Sequence, residues 1–120
     1  FSLMSKNILV TTSIAYVNGA PHLGFAMETI EADVYARWAR SRGNNVFFLT
    51  GTDEHGGKID KVAKSQGKET QLLCDENAIK FQKLCRALHI SEDRFIRTTD
   101  ADHKKGVQDV WKKILEKKDL

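Results

Sequence analysis

Apolar residues recur along the chain at two spacings, and the spacing predicts the element at each place. Residues 8–12, Ile8-Leu9-Val10-Thr11-Thr12, make a short apolar, β-rich run that reads as a buried strand. Asn18-Gly19-Ala20-Pro21 follows, a turn-forming loop holding the chain's single proline. From about 24 to 42, Met27, Ile30, Val34 and Trp38 recur every three or four residues. That is the spacing of one helix face, and the stripe is expected to be the buried one. Gly43 supplies the stop, at a place where a left-handed backbone costs little. Residues 46–50, Val46-Phe47-Phe48-Leu49-Thr50, predict a second strand, central and buried on both faces.

Beyond a polar glycine loop, 58–66 reads as a short helix ended by Gly67. A longer helix runs from an N-cap at Thr70 to about 89, with Phe81, Leu84, Cys85 and Leu88 turned inward. Residues 95–98 are a third strand. Thr99 or Asp100 then caps a last helix whose inner face is Val107, Val110, Trp111 and Ile114. Lys104, Lys105, Lys112, Lys113, Lys117 and Lys118 occupy its other sides, a solvated face. Strand and helix alternate, so the fold class is α/β, with right-handed crossovers building a parallel sheet. About three strands make a narrow sheet with exposed edges, as expected of part of a larger one.

Composition narrows the field more than it selects within it. One hundred and twenty residues, without repeat or linker, suffice for one small unit. Nineteen Lys and Arg against sixteen Asp and Glu leave only +3, too mild an excess to point to nucleic acid or membrane by itself. No apolar run reaches the ~18 residues of a membrane-spanning helix. Residues 1–3 precede a natural start at Met4 and read as a cloning remnant. Cys74 and Cys85 lie eleven residues apart on one helix, ~16 Å along its axis, too far to form a disulfide with each other. Two unpaired thiols and no metal-ligand spacing suggest a reducing, cytoplasmic setting and no metal site in this chain.

Two loops carry candidate chemistry, and each follows the carboxyl end of a predicted strand, where open α/β sheets bind ligands. The first delivers His22 to the start of the long helix, with Gly24 allowing close backbone approach. Free N–H groups and the helix dipole favour an anion there. A histidine at that place either donates to phosphate oxygens or simply caps the helix. Neither G-x-G-x-x-G nor G-x-x-x-x-G-K-[ST] occurs. The second loop, Gly51-Thr52-Asp53-Glu54-His55-Gly56-Gly57, sets two carboxylates and an imidazole between glycines. Asp53 suits a substrate ammonium; the other reading is a solvated turn.

His22-Leu23-Gly24-Phe25, behind Tyr16-Val17-Asn18-Gly19-Ala20-Pro21, resembles the H-I-G-H region of class I aminoacyl-tRNA synthetases. Phe47 to Gly56, and Phe95-Ile96-Arg97-Thr98-Thr99-Asp100, resemble methionyl-tRNA synthetase, and the similarity runs from about Ile8 to the end. The resemblance implies the first half of a Rossmann-like catalytic domain over residues 4–120. The family activates methionine with ATP, as its Mg2+ complex, and passes the methionyl group to tRNA. By position, Ile14 and Tyr16 would line the methionine pocket and Asp53 would hold the α-ammonium. His22 and Gly24 would lie against ATP, and Asn18 and Pro21 would shape the loop. Phe25 replaces the motif's second histidine and is expected to pack near the nucleotide. The K-M-S-K-S loop, the connective insertion with its metal knuckles and the anticodon-binding domain are absent, so the chain alone is expected to be inactive. The alternatives are a nucleotidyltransferase of the same superfamily, or a truncated paralogue that binds nucleotide or RNA without chemistry.

Overall fold

A computed structural model describes residues 5–117, so the expectations for residues 1–4 and for Lys118 lie outside the described residues. In chain order the elements are β1 (Asn7–Thr11), β2 (Ala15–Tyr16), α1 (Leu23–Ser41), β3 (Asn45–Asp53), α2 (Gly57–Ser65), α3 (Thr70–Ala87), β4 (Arg94–Arg97) and α4 (Ala101–Glu116). Every strand pairing is parallel, as the α/β reading requires. Leu49 pairs with both Thr11 and Arg94, and Thr52 with both Ala15 and Arg97. A strand has two edges, so β1 and β2 share one edge of β3 and β4 takes the other. The sheet is three strands wide, and β2 is a short resumption of β1 that the sequence pattern did not predict.

Between β1 and β2 the chain leaves the ladder. Thr12 still reaches β3, its hydroxyl 2.7 Å from that of Thr50. Ser13 instead turns to α1, where its N–H and hydroxyl both donate to Glu28, at 2.8 and 2.6 Å. This excursion spreads β2 and the start of α1 apart and opens a cleft at the carboxyl end of the sheet.

One face of the sheet carries the core. Val10, Val46 and Phe48 pack against Ala36 and Ala39 of α1. Val17, Phe25, Ile59, Ala63, Leu73, Cys74, Phe81 and Cys85 form a second cluster, joining α1 to α2 and α3. Phe25 and Phe81 meet edge to face, with centroids 4.9 Å apart. Both cysteines are free and buried.

Three expectations fail. The α1 stripe of Met27, Ile30, Val34 and Trp38 faces outward; Phe25, Thr29, Asp33, Ala36 and Ala39 are the buried positions. Small residues let the helix axis approach the sheet, and the larger apolar ones are left outside. β3 is central, but over residues 46–50 its burial falls on one side, since Leu9 and Phe47 stand exposed on the other face; both faces are buried only around Gly51. α4 has no buried residue, so its stripe of Val107, Val110, Trp111 and Ile114 does not enter the core. Two caps also differ. Glu69, not Thr70, precedes α3, and the Thr70 hydroxyl donates to Asp60. Asp100 stands at the N-cap of α4, but its carboxylate accepts from the Arg97 N–H instead of capping the helix.

Candidate active site

The cleft has a volume of about 470 Å³ and is lined by Ser13, Ala15, Tyr16, Asn18, Gly19, Ala20, His22, Gly24, Phe25, Glu28 and Phe81. Five residues singled out from the sequence therefore share its wall: Tyr16, Asn18, His22, Gly24 and Phe25. Ile14, Pro21 and Asp53 do not line it. Asp53 is nonetheless adjacent, because it is the register partner of Tyr16 across the β2–β3 ladder.

His22 is the N-cap of α1, and its Nδ1 accepts from the Gly24 N–H at 3.0 Å. Capping and a polar role are therefore not exclusive. A ring nitrogen that accepts carries no proton, which leaves Nε2 as the N–H donor. A Cβ on Gly24 would come within 2.8 Å of the His22 ring, so the glycine permits this cap. Phe25 is buried against Phe81 while bordering the cleft. It offers an apolar surface where a second imidazole would offer a donor.

On the other side of Tyr16, Gly56 has a backbone φ of 130°, and a Cβ there would meet the Tyr16 hydroxyl at 2.2 Å. The glycine thus sets how close the phenol stands to the second loop. The strand end is more structured than a free turn, because residues 51–53 belong to β3. Asp53 is half-buried and accepts one long hydrogen bond, from the His55 N–H at 3.4 Å.

Sequence reasoning missed two groups of residues here. Ser13 and Glu28, hydrogen-bonded to each other, also line the cleft; the placement of Glu28 one helical turn after Gly24 was a usable signal. The second group surrounds Glu54. Its carboxylate accepts from Thr52, from Thr99 and twice from Arg97, and Arg97 also reaches Asp75 at 2.5 Å. Burial pushes the Glu54 carboxyl up, but hydrogen bonds from Arg97, Thr99 and Thr52 outweigh it and hold the group below its ordinary value. Residues 43 and 45 positions apart meet here, and no local pattern announces that. Asn77, buried on α3, donates to the Val17 carbonyl at 2.7 Å and ties the cleft loop to that helix. Among the described residues, no group of three His, Cys, Asp or Glu is placed to hold a metal ion. No helix is long and apolar enough to cross a membrane.

A parallel sheet with a histidine-capped helix at its carboxyl edge, and a carboxylate at the end of the neighbouring strand, defines a class. The family model for class I tRNA synthetases (M) matches residues 8–120, and the chain belongs to that family. The particular relatives are methionine–tRNA ligases. That of Mycobacterium leprae is 51% identical over 105 residues, covering 88% of this chain and 20% of its own length. That of Thermotoga maritima is 51% identical over 111 residues, covering 92% and 18%. The solved structure of Mycobacterium tuberculosis methionyl-tRNA synthetase in complex with methionyl-adenylate superposes with a TM-score of 0.89 at 46% identity, covering 94% of this chain and 22% of that one. The chain thus spans about one fifth of the length of these relatives. They favour the synthetase over both alternatives raised from the sequence.

Proposed function

We propose that this chain is the N-terminal part of a methionine-activating catalytic domain and contributes both substrate-facing loops of the site. In the reaction, a methionine carboxylate oxygen bonds to the α-phosphorus of ATP, bound as its Mg2+ complex. The bond from that phosphorus to the bridging oxygen breaks, and pyrophosphate leaves. The methionyl group then passes from the adenylate to tRNA. The protein's contribution is positioning and charge stabilisation.

The observation that carries this reading is the joint placement of the two loops. His22, with Nε2–H free, and the α1 N-terminus border the same cleft as Tyr16, whose ladder partner is Asp53. His22 and Gly24 would face the triphosphate, where oriented donors stabilise anionic oxygens. Tyr16 and Ile14 would border the methionine side chain, and Asp53 would accept from its α-ammonium. Asn18 and Pro21 would shape the connecting loop, and Phe25 would give the nucleotide an apolar wall. The two buried, unpaired cysteines fit a reducing, cytoplasmic setting.

Methionine-dependent exchange of pyrophosphate into ATP tests the reading in an enzyme of the relatives' length carrying these residues. The D53N variant is expected to raise the methionine KM about ten- to a hundredfold, the value of one charge-assisted hydrogen bond. An unchanged methionine KM rejects the role given to Asp53. The 120-residue chain alone is expected to show no exchange, since it supplies one wall of the site.

A further inference from the structure

The Asp53 carboxylate is itself lightly held, while the residue beside it is anchored on every side. The Glu54 N–H donates to the Thr98 hydroxyl oxygen at 2.8 Å, and its carbonyl accepts from the Cys74 thiol. Its side chain is fully buried. Arg97 grips it through two parallel contacts, Nε to Oε1 at 2.7 Å and Nη2 to Oε2 at 2.9 Å. Thr52 donates to Oε1 at 2.9 Å, and the Thr99 hydroxyl donates to Oε2. Arg97 Nη2 also donates to Asp75, which accepts in turn from Gln71 on the same helix. The end of β3, the end of β4 and α3 therefore converge on the Glu54–Arg97 pair. On the other side of Asp53, Thr52 is held by ladders on both edges.

We infer that Glu54 and Arg97, assisted by Thr99 and Asp75, are positioning residues that fix where the Asp53 carboxylate stands beside Tyr16. The inference rests on the reading of Asp53 as the ammonium acceptor. A buried ion pair adds little net stability over an apolar pair of the same volume, but its paired geometry sets orientation. Fully satisfied polar networks of this kind rigidify what they surround, and among the described residues no buried side-chain nitrogen or oxygen lacks a partner. The Asp53 carboxylate accepts one long hydrogen bond, and the Asp53 carbonyl accepts from the Val17 N–H at 3.3 Å, so the side chain's place depends on the backbone on either side of it, including that which Glu54 anchors.

The test uses methionine-dependent pyrophosphate exchange by an enzyme of the relatives' length, with E54Q, R97K and T99V measured beside D53N. Each is expected to raise the methionine KM, by up to the roughly hundredfold that a misplacement of ~1 Å costs, while the KM for ATP stays level. T99V deletes one donor only and stays informative if the other two variants fail to fold; T99S, which keeps the hydroxyl, restores the parent KM. In a D53N background, E54Q is expected to add nothing further, because both act through the same contact. Unchanged methionine KM in folded E54Q or T99V overturns the inference, as does an effect of E54Q that adds in full to D53N. Absence of methionine-dependent exchange in the unsubstituted enzyme overturns instead the reading of Asp53 beneath it, and this inference with it.

Discussion

Phe25 shows how a single position can belong to the core and to the wall of a cleft at once. Its ring meets Phe81 edge to face and also borders the cleft, so apolar packing constrains it and, under the proposed function, substrate contact would as well. Restoring the motif's histidine there exchanges aromatic packing for a polar ring. F25H is expected to destabilise the fold by about 1–3 kcal/mol, from lost burial and the lost aromatic pair, as read by chemical denaturation. The cysteines give a second prediction at this scale. Burial, with the Glu92 carboxylate adding to it, pushes the Cys85 thiol up to about 12. Burial and the neighbouring Glu54 push Cys74 up as well. A thiol is nucleophilic only as thiolate, so neither is expected to react with a disulfide reagent at neutral pH until the chain unfolds. Rapid labelling of the folded chain would contradict that.

The elements were legible where local periodicity and burial agree. β3, α2 and α3 lie within a few residues of the pattern-based bounds, and Phe81 and Cys85 are buried as their spacing demands. α1 was legible as a helix but not in its orientation. Its apolar stripe and its stripe of Ala36, Ala39, Thr29 and Asp33 are both periodic, and periodicity alone does not say which one meets the sheet. Asp33 settles the matter through partners remote in sequence, the N–H and hydroxyl of Ser91, 58 residues on. β2 escaped notice because two residues make no pattern. Of the site, the loops were legible because each follows a strand, whereas the Glu54–Arg97 pairing depends on which strands become neighbours. The same long-range contacts govern acid sensitivity. Burial pushes Asp33 and Glu54 up, and hydrogen bonds outweigh it in both, so both fall below their ordinary values of 3.8 and 4.5. A carboxyl depressed in the folded state contributes stability above its unfolded value and loses it as pH falls through the folded one. Stability is therefore expected to decline as pH drops below about 4.5, and E54Q to make that decline shallower in denaturation curves across the acid range.

At the scale of the whole molecule, the packing is one-sided. The sheet's second face exposes Leu9 and Phe47, the outer side of α1 exposes Leu23, Met27, Val34 and Trp38, and α4 exposes Val107, Val110, Trp111 and Leu115. The radius of gyration, 17.2 Å, exceeds the ~14 Å typical of a compact domain of this length, and the extents of 61 × 44 × 20 Å describe a flattened body. Large contiguous apolar surface is uncommon on soluble monomers. Its consequence is sharpest for α4, which is tied on at its N-terminal end, where Arg94 reaches Asp100 and Asp102. Beyond those contacts, no residue of the helix is buried. A 16-residue helix held by its own hydrogen bonds is marginal in water, because most helix stability in proteins comes from packing one face. Amides of residues 105–116 in the 120-residue chain are therefore expected to exchange with solvent within the fast phase, while those of β3 between its two partner strands are the slowest. In an enzyme of the relatives' length, a partner surface for Val110 and Trp111 would slow the same amides. Slow exchange along α4 in the isolated chain would mean that its apolar face is already covered, by self-association, which sedimentation at rising concentration would reveal.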